Sequence, residues 1–375
     1  MTFGGRVVHP AGDGVVYGTG SVERHLAGLV ERSAMRRPFV VTTGSVVRAG
    51  LLDEVVGALG VAPAGVFAGS REHTPAPTVV EAAELARASG ADGLVSVGGS
   101  SVVDLTKGVA LLLSGDVSLD DPRPLMDRPK LVHLAVPTTL SGAEFTSAAG
   151  ITHPASGHKR AYVHPSLAPR WVVLDPLLTR ATPPQLWAAT GMKVLADAIE
   201  VRASTRATPL SDAVAGQALV LLGEHLVAST FDDADLEGRA RCQFASAMVL
   251  LQLVGVGLGL VAALRHQLGG ALGVAHGVAS TIVLPHVVRW NAAAAPDALE
   301  ASAGVLGARG VEGLVARLHG LTDELGLPRR LADVGVRRGD LADVARHVLA
   351  DVAVRTNPRR VDDVDDVLAV LDAAF

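Results

Sequence analysis

The sequence predicts an α/β N-terminal domain with a doubly wound parallel sheet, followed by an all-α C-terminal domain. Short apolar segments alternate with helical patterns in the first half of the chain, which is the order typical of parallel sheets. After Pro183 the strand pattern nearly disappears and helical spacing continues to the end. Prolines cluster between the two halves, at residues 175–184. We therefore expect one domain over residues 1–178 and a second over residues 179–375.

The predicted strands of the first half are short, apolar and rich in valine. They cover residues 15–17, 39–42, 65–67, 93–97, 131–136 and 171–174. Helical patterns lie between them, at residues 21–32, 51–59, 78–89 and 101–113. The third of these helices follows two prolines and ends before Gly90, which are ordinary start and stop signals.

Helical patterns in the second half share apolar residues three or four positions apart. They cover residues 212–228, 236–264, 275–291, 296–306, 311–325, 341–354 and 362–374. Residues 244–264 hold no charged side chain and are long enough to cross a membrane. Their glycines and Gln252 instead favour a helix buried on all sides within the domain, so we expect no contact with a membrane.

Composition narrows the class of function. The 375 residues are 49% hydrophobic and carry a formal net charge of −5. They contain no basic block, so we expect no nucleic-acid partner. Cys242 is the single cysteine, which excludes an intrachain disulfide and is consistent with a cytoplasmic protein. The first ten residues lack the apolar core of a secretory signal.

A helix predicted to open at Thr190 carries a stripe of charged side chains. Lys193, Asp197 and Glu200 recur at helical spacing and therefore share one face. One interpretation is an exposed ion pair, which stabilises a helix by a few tenths of a kcal/mol. The other is that Lys193 and Asp197 belong to a functional site.

Two glycines precede the helix predicted at residues 101–113. Gly98 and Gly99 let a ligand approach the backbone, and the helix start offers free N–H groups to a phosphate. Thr138 and Thr139 follow the next strand, and Thr43 ends a third. Parallel strands end at one edge of a sheet, where α/β proteins bind ligands. The segment is not a G-x-G-x-x-G fingerprint, so a tight turn without a ligand is the alternative.

Histidines flank a glycine-rich turn in the second half. His266 and His276 bound the segment RHQLGGALGVAH, and His286 lies ten residues further on. The alternative to a catalytic role is an ordinary core or surface position. No H-x-x-x-H pair or zinc-finger spacing occurs, so spacing alone predicts no metal site.

Seven segments occur in the order in which one protein family carries them. They are VVYGTGSVERHL, SVGGSSVVDLTKGVAL, VPTTLSGAEFTSAAGIT, VVLDPLLTRATP, TGMKVLADAIE, RHQLGGALGVAHGVASTIVLPHV and NPRRVDDVDDVLAVLDAAF. The chain thereby resembles the iron-containing (group III) alcohol dehydrogenases, and HTPAPTV, PTTLSGAEFT and NPRRV resemble the maleylacetate reductase branch. The resemblance implies a dehydroquinate synthase-like architecture. It also implies an N-terminal dinucleotide-binding domain and an active site in a cleft next to the helical domain.

The resemblance assigns a cofactor site to residues of the first half. Ser100 replaces the third glycine of the family's GGGS segment, Arg160 replaces a lysine, and Thr43 replaces an aspartate that contacts the adenosine ribose. NADH and NADPH therefore both stay open. The implied cofactor residues are Thr43, Gly98, Gly99, Ser100, Ser101, Asp104, Thr138, Thr139 and Arg160, and Lys107 matches the same helix.

The metal site of the family does not carry over. The family binds its divalent ion with an aspartate and three histidines, and the matching positions here hold Lys193, Asp197, Ala262 and His276. Only His276 matches, and an ammonium at position 193 would repel a cation. We therefore expect no bound metal. His266 matches the family's nearby catalytic histidine.

Two functional hypotheses follow. In the first, the chain is an NAD(P)H-dependent, metal-independent oxidoreductase of a carbonyl or alcohol, similar to maleylacetate reductase. Lys193 would stabilise the developing alkoxide in place of the metal, Asp197 would hold Lys193 protonated, and His266 or His276 would donate the proton. In the second, the chain is a catalytically degenerate homologue that binds a cofactor or serves as a scaffold for a protein of a biosynthetic pathway. The family also implies a homodimer.

Overall fold

The computed structural model describes residues 5–7, 12–115, 118–120, 131–153 and 158–375. The chain divides into two compact units, Met1–Thr182 and Pro183–Phe375. The division falls within the proline-rich segment at residues 175–184. An α/β first unit and a helical second unit confirm the predicted fold class.

A sheet of seven strands forms the centre of the first unit. In chain order its strands are β1 (Gly5–Val7), β2 (Gly14–Tyr17), β3 (Pro38–Val41), β4 (Gly65–Phe67), β5 (Gly93–Gly98), β6 (Val132–Pro137) and β9 (Trp171–Leu174). In space they follow the order β1-β2-β9-β6-β5-β3-β4. Every described pair in this sheet is parallel except β1 with β2, and the sequence analysis did not predict β1.

Helices cover both faces of this sheet. They are α1 (Ser21–Arg32), α2 (Gly44–Arg48), α3 (Leu51–Ala58), α4 (Ala76–Ala88) and α5 (Ser100–Leu112). Successive strand residues point to opposite faces, and β3 shows this directly. Phe39 and Val41 pack into the core beneath α4 and α5, whereas Val40 packs into the core beneath α1 and α3. The sheet is therefore buried on both sides, as in doubly wound folds.

The carboxylate of Asp175 joins the end of β9 to the start of α1. It follows β9, and its two oxygens accept hydrogen bonds of 3.0 Å from the backbone N–H groups of Gly20 and Val22. These groups lie at the start of α1, whose N-cap glycine has no side chain of its own. A carboxylate at a helix N-terminus satisfies free N–H groups and favours the helix dipole.

A hairpin packs against α5. Its strands β7 (Ala148–His153) and β8 (His158–Val163) are antiparallel, and the sequence analysis did not predict them. The buried Lys107 donates hydrogen bonds of 2.7–2.8 Å to the carbonyls of Ala143, Thr146 and Ala148. Burial lowers the pKa of Lys107 to about 8. Lys107 therefore fastens the loop before the hairpin to α5.

The second unit consists of helices. They are α6 (Pro184–Ala203), α7 (Pro209–Phe231), α8 (Leu236–Leu250), α9 (Leu253–Val256), α10 (Leu260–Leu272), α11 (His276–Asn291), α12 (Pro296–Val305), α13 (Gly310–Glu324), α14 (Leu341–Val348) and α15 (Val364–Ala373). The prediction that a helix opens at Thr190 is wrong. It begins at Pro184, because proline fits the first turn of a helix, where its missing N–H costs nothing.

The prediction of one long helix at residues 236–264 is also wrong, because this range forms three helices, α8, α9 and α10. Gly257 has φ of +76°, and a Cβ there would lie 2.6 Å from the Thr356 hydroxyl. Such a left-handed backbone ends a helix. The helix predicted at residues 341–354 likewise stops at Val348 and is followed by a 3₁₀ turn, Val352–Thr356.

Among the described helices, one is long and apolar enough to cross a membrane by length and composition. It is α7, not the segment that the sequence analysis considered, and 44% of its most apolar window is buried. A single helix of this kind is weak support for a membrane span, since core helices of soluble proteins have the same composition.

Glycine permits the close packing of α6 and α11. A Cβ added to Gly277 would overlap the carbonyl oxygen of Ala189. The backbones of the two helices therefore approach as closely as they do only because residue 277 lacks a side chain.

Candidate functional site

The glycine turn at the end of β5 leads directly into α5. Gly98 has φ of +151°, and a Cβ there would lie 2.6 Å from a methyl group of Val102. Gly99 is the N-cap residue of α5, and no side chain caps this helix. Ser100 and Ser101 form its first turn. The first N–H groups of α5 therefore have the arrangement that binds phosphate groups at helix starts.

Two threonines lie next to this turn. Because β5 and β6 pair in register up to Gly98 and Pro137, the backbone N–H of Thr138 donates to the Gly98 carbonyl at 3.1 Å. A Cβ on Gly99 would lie 3.1 Å from the methyl group of Thr139. The structure thus brings the predicted glycines and threonines together at the carboxyl edge of the sheet, where open α/β folds bind ligands.

β3 stops at Val41 and pairs with β5, so Thr43 lies just past the carboxyl end of this strand and not at its last residue as predicted. Its hydroxyl caps α2 by accepting from the Val46 N–H at 3.4 Å, and it shares a 2.8 Å hydrogen bond with Ser45. No carboxylate occupies this position. The structure is therefore compatible with either a free or a phosphorylated ribose hydroxyl.

Asp104 and Arg160 make contacts away from the glycine turn. Asp104 accepts a 3.2 Å hydrogen bond from the Gly150 N–H on β7. Arg160, on β8, donates to the carbonyls of Leu119 and Asp120 at 3.4 and 3.3 Å. Both side chains support the hairpin in this structure.

The sequence analysis missed a strained dipeptide beside α5. His73 and Thr74 have φ of 59° and 50°, a region that side-chain-bearing residues rarely adopt. The Thr74 hydroxyl donates to the Ser101 carbonyl at 3.3 Å, and the Thr74 carbonyl accepts from the Thr152 N–H at 3.0 Å. These bonds hold the strained pair against the first turn of α5. The prolines at 75 and 77 were the local sequence feature that could have indicated an unusual backbone here.

Lys193 and Asp197 are not an exposed pair. Lys193 Nζ lies 2.8 Å from Asp197 Oδ2, and their side chains are 12% and 0% exposed. The other oxygen of Asp197 accepts a hydrogen bond from the guanidinium of Arg265, on α10, which is 4% exposed. Burial raises the pKa of Asp197, but the two cations outweigh it, so the pKa lies below its ordinary value. We name Lys193, Asp197 and Arg265 the cation cluster.

Arg265 is the member of this cluster that the sequence analysis did not assign. Its charge balances that of Asp197, so the formal charges of the three side chains add up to +1. Lys193 is its most accessible member. A single arginine following an uncharged stretch of about twenty residues was the available signal.

The family's metal ligands do not fit this arrangement. Asp197 is committed to two cations, the ammonium of Lys193 repels a metal ion, and Ala262 is a fully buried methyl group. The described residues include no group of three or more His, Cys, Asp or Glu side chains that could hold a metal ion. The described residues at these positions therefore do not fit Fe²⁺ or Zn²⁺.

His266 and His276 lie close together. The glycine-rich turn predicted between them is mostly helix, because α10 continues to Leu272. Their ring centroids are 5.8 Å apart, and a Cβ on Gly269 would lie 2.8 Å from His276 Nε2, so glycine makes room for this ring on α10. His286 lies elsewhere, with its ring centroid 6.4 Å from that of His319. Burial lowers the pKa of His286 to about 4.

Glu200, the third charge of the predicted stripe, holds the start of α10. Its two carboxylate oxygens accept from the N–H groups of Val261 and Ala262 at 2.7 and 3.2 Å. Burial raises its pKa to about 7. These hydrogen bonds join α6 to the start of α10, the helix from which Arg265 reaches Asp197.

Comparisons with known proteins agree with this architecture. The family model described as iron-containing alcohol dehydrogenase matches residues 13–176, and that of the C-terminal Fe-containing alcohol dehydrogenase family matches residues 187–375. Maleylacetate reductase 2 of Cupriavidus pinatubonensis is 33% identical, covering 96% of this chain and 94% of the relative. NAD-dependent methanol dehydrogenase of Bacillus methanolicus is 29% identical, covering 96% and 97%. The crystal structure of maleylacetate reductase from Agrobacterium tumefaciens has a TM-score of 0.82 at 28% identity, covering 100% and 99%.

Proposed function

Because this chain belongs to the iron-containing alcohol dehydrogenase family, we propose that it is an NAD(P)H-dependent carbonyl reductase that works without a bound metal ion. The observation that carries the proposal is the cation cluster. Lys193 and Asp197 stand at positions that match the family's metal ligands, so the cluster would supply positive charge there. Among the described residues, no group of three or more His, Cys, Asp or Glu side chains could hold that metal.

The glycine turn is the proposed dinucleotide site. The N–H groups at the start of α5 would hold the pyrophosphate, with Gly98 and Gly99 permitting its approach. Thr138 and Thr139 would face the nicotinamide side. When bound, NAD(P)H supplies the hydride. The relative from Bacillus methanolicus is named as NAD-dependent, which supports a nicotinamide cofactor.

The cation cluster is proposed to act on the substrate oxygen. As hydride reaches the carbonyl carbon, the carbonyl electron pair moves to oxygen, and the ammonium of Lys193 stabilises the charge that develops there. Asp197 holds the Lys193 ammonium in place through their 2.8 Å contact. Arg265 matters because it balances the charge of Asp197, so the positive charge of Lys193 stays available. A proton from His266 or His276 then completes the alcohol.

The proposed substrate is a small oxo acid, with aldehydes as the second choice. Its support is the similarity to maleylacetate reductases in sequence and structure. We also propose a cytoplasmic location and a homodimer, both of which stay predictions from the family.

The test begins with binding. We expect NADH or NADPH fluorescence to change on titration with the protein, and Gly99→Val to abolish the change, since a side chain there meets Thr139. Oxidation of the bound cofactor is then followed with 3-oxo acids and aldehydes. Absence of binding at millimolar cofactor would overturn the reductase and leave the scaffold hypothesis.

Lys193→Ala tests the mechanism. We expect turnover to fall by about 10²–10³, as when one oxyanion donor is removed, with the dissociation constant for NAD(P)H unchanged. Arg241→Ala is the matched control, because it removes a cation from an i,i+4 pair with Glu237 on α8. If Lys193→Ala lowers turnover by no more than about twofold, Lys193 and Asp197 form only a structural ion pair.

A further inference from the structure

A carboxylate that the sequence analysis did not single out contacts His266. Asp351 lies between α14 and the 3₁₀ turn Val352–Thr356, and its Oδ2 is 2.9 Å from His266 Nδ1. The same oxygen accepts a 3.4 Å hydrogen bond from Gln267. The Asp351 side chain is 10% exposed and that of His266 is 42% exposed. A shielded carboxylate thus holds one edge of an accessible imidazole.

The chemistry of the pair decides which ring nitrogen carries a proton. An ionised carboxylate only accepts hydrogen bonds, so His266 Nδ1 must donate to Asp351. Burial raises the pKa of Asp351, but the hydrogen bond from His266 and its charge outweigh this and hold the pKa below its ordinary value. The proton on Nδ1 fixes the tautomer of the neutral ring and leaves Nε2 as the nitrogen that exchanges protons.

We propose that Asp351 is a positioning residue, which orients the His266 ring through Nδ1 and makes His266, rather than His276, the proton donor through Nε2. The proton-donor part rests on the proposed reductase function. The orientation of the ring does not.

Asp351 also has a structural role, and any test must separate the two. Its Oδ1 accepts from the Ala353 N–H at 2.9 Å and so caps the 3₁₀ turn. This turn leads to Asn357, whose side-chain oxygen accepts from the Leu260 N–H at the start of α10. Asp351→Asn keeps a capping oxygen and the side-chain shape but removes the charge. Asp351→Ala removes both.

The experiment combines turnover, melting temperature and ¹⁵N NMR of histidine ring nitrogens. In the wild type we expect His266, assigned by its loss in His266→Gln, to be protonated at Nδ1. In Asp351→Asn we expect a mixture of tautomers and a fall in kcat of about 10- to 100-fold, part of the 10²–10⁴ that general acids contribute. NAD(P)H affinity and melting temperature should stay unchanged, and Asp351→Glu should recover part of kcat. Asp343→Asn, which removes an exposed carboxylate from α14, is the control.

Two results would overturn the inference. One is an unchanged tautomer together with kcat within about twofold of the wild type in Asp351→Asn. The other is a loss of kcat that follows a loss of melting temperature equally in Asp351→Asn and Asp351→Ala, since that assigns Asp351 to the turn alone. If the protein reduces no carbonyl, the proposed function and the proton-donor part fail together. The NMR result then still decides whether Asp351 orients the ring.

Discussion

His133 is a histidine enclosed in the sheet of the first unit. It lies on β6, is 4% exposed, and shares a 2.7 Å hydrogen bond through Nε2 with the Ser96 hydroxyl on β5. Burial, and next the ammonium of Lys107, lower its pKa to about 3. The folded protein therefore holds this ring neutral at pH values at which an unfolded chain protonates it.

This difference predicts an acid-sensitive stability. The unfolded pKa is 6.5, so between pH 6.5 and about 3 the unfolded chain binds the extra proton, and stability falls as pH falls. Between pH 7 and 5 we expect His133 to account for a loss of roughly 2 kcal/mol. Urea unfolding of the wild type and His133→Asn measures it, since the variant should lose less over this interval. His347→Asn, at an exposed histidine, is the control. Equal losses in all three proteins would contradict the assignment.

Single residues also show what the sequence could reveal about the site. Gly98 and Gly99 were singled out because they precede a predicted helix, and His266 and His276 because they bound a glycine-rich segment. Arg265 is 68 residues from its partner Asp197, and Asp351 is 85 residues from His266. Spacing arguments reach only one or two helical turns, so contacts of this length depend on the packed fold.

At the scale of elements, the crossing of α6 and α11 positions the catalytic candidates. Lys193 and Asp197 belong to α6, and His276 begins α11. The two helices touch where Gly277 faces the backbone of Ala189. Close-packed interiors do not yield to an added methyl group without shifts of the backbone.

Gly277→Ala should therefore destabilise the second unit. Overpacking of this kind costs about 1–3 kcal/mol, and the displaced α11 should also lower turnover. Gly304→Ala is the matched control. It lies on the exposed side of α12 with no atom within 4 Å of an added Cβ, so it should stabilise by about 0.5–1 kcal/mol through helix propensity. Thermal unfolding measures the melting temperature of both variants. Equal changes in melting temperature would show that the crossing of α6 and α11 can accommodate a methyl group.

Elements were predicted best where apolar periodicity was continuous. The helices near residues 21–32 and 212–228 agree with α1 and the interior of α7. The break between α8 and α10 was missed, because it depends on Gly257 meeting Thr356 from a distant turn. The hairpin of β7 and β8 was missed as well, since the fastening by Lys107 is a tertiary contact.

At the scale of the whole molecule, our proposal places in the iron-containing family a chain in which protein cations stand in for the metal. The balance of charge around Asp197 supports this proposal. A buried carboxylate without a cation is costly, and Asp197 has two protein cations. We therefore expect the second unit to fold without a metal.

Purified protein should accordingly contain far less than about one Fe or Zn per chain, and chelation should leave turnover unchanged. Elemental analysis measures the metal. A variant with Lys193→Asp, Asp197→His, Ala262→His and Arg265→Ala rebuilds the family's ligand set beside His276, and we expect it to bind about one ion. About one metal per wild-type chain, lost in His276→Ala, would contradict the absence of a metal site.

The two-part architecture was predictable because alternation of strands and helices stops at one point of the chain. The order of strands in the sheet was not. Parallel pairing leaves several arrangements open, and only the structure places β2 beside β9. The cap of α1 by Asp175 follows from that neighbour relation.

The contacts of β2 and α1 with β9 and Asp175 affect how the chain can fold as it is made. The ribosome adds 155 residues after Gly20 to reach Asp175. At about 5–20 residues per second, synthesis of that length takes roughly 10–30 s. Throughout this time β2 lacks its parallel neighbour, and its apolar residues lie open to other chains. A contact of such sequence separation also closes slowly once it is available. The strand that leaves the ribosome early is therefore among the last to be secured, and it depends most on protection during synthesis.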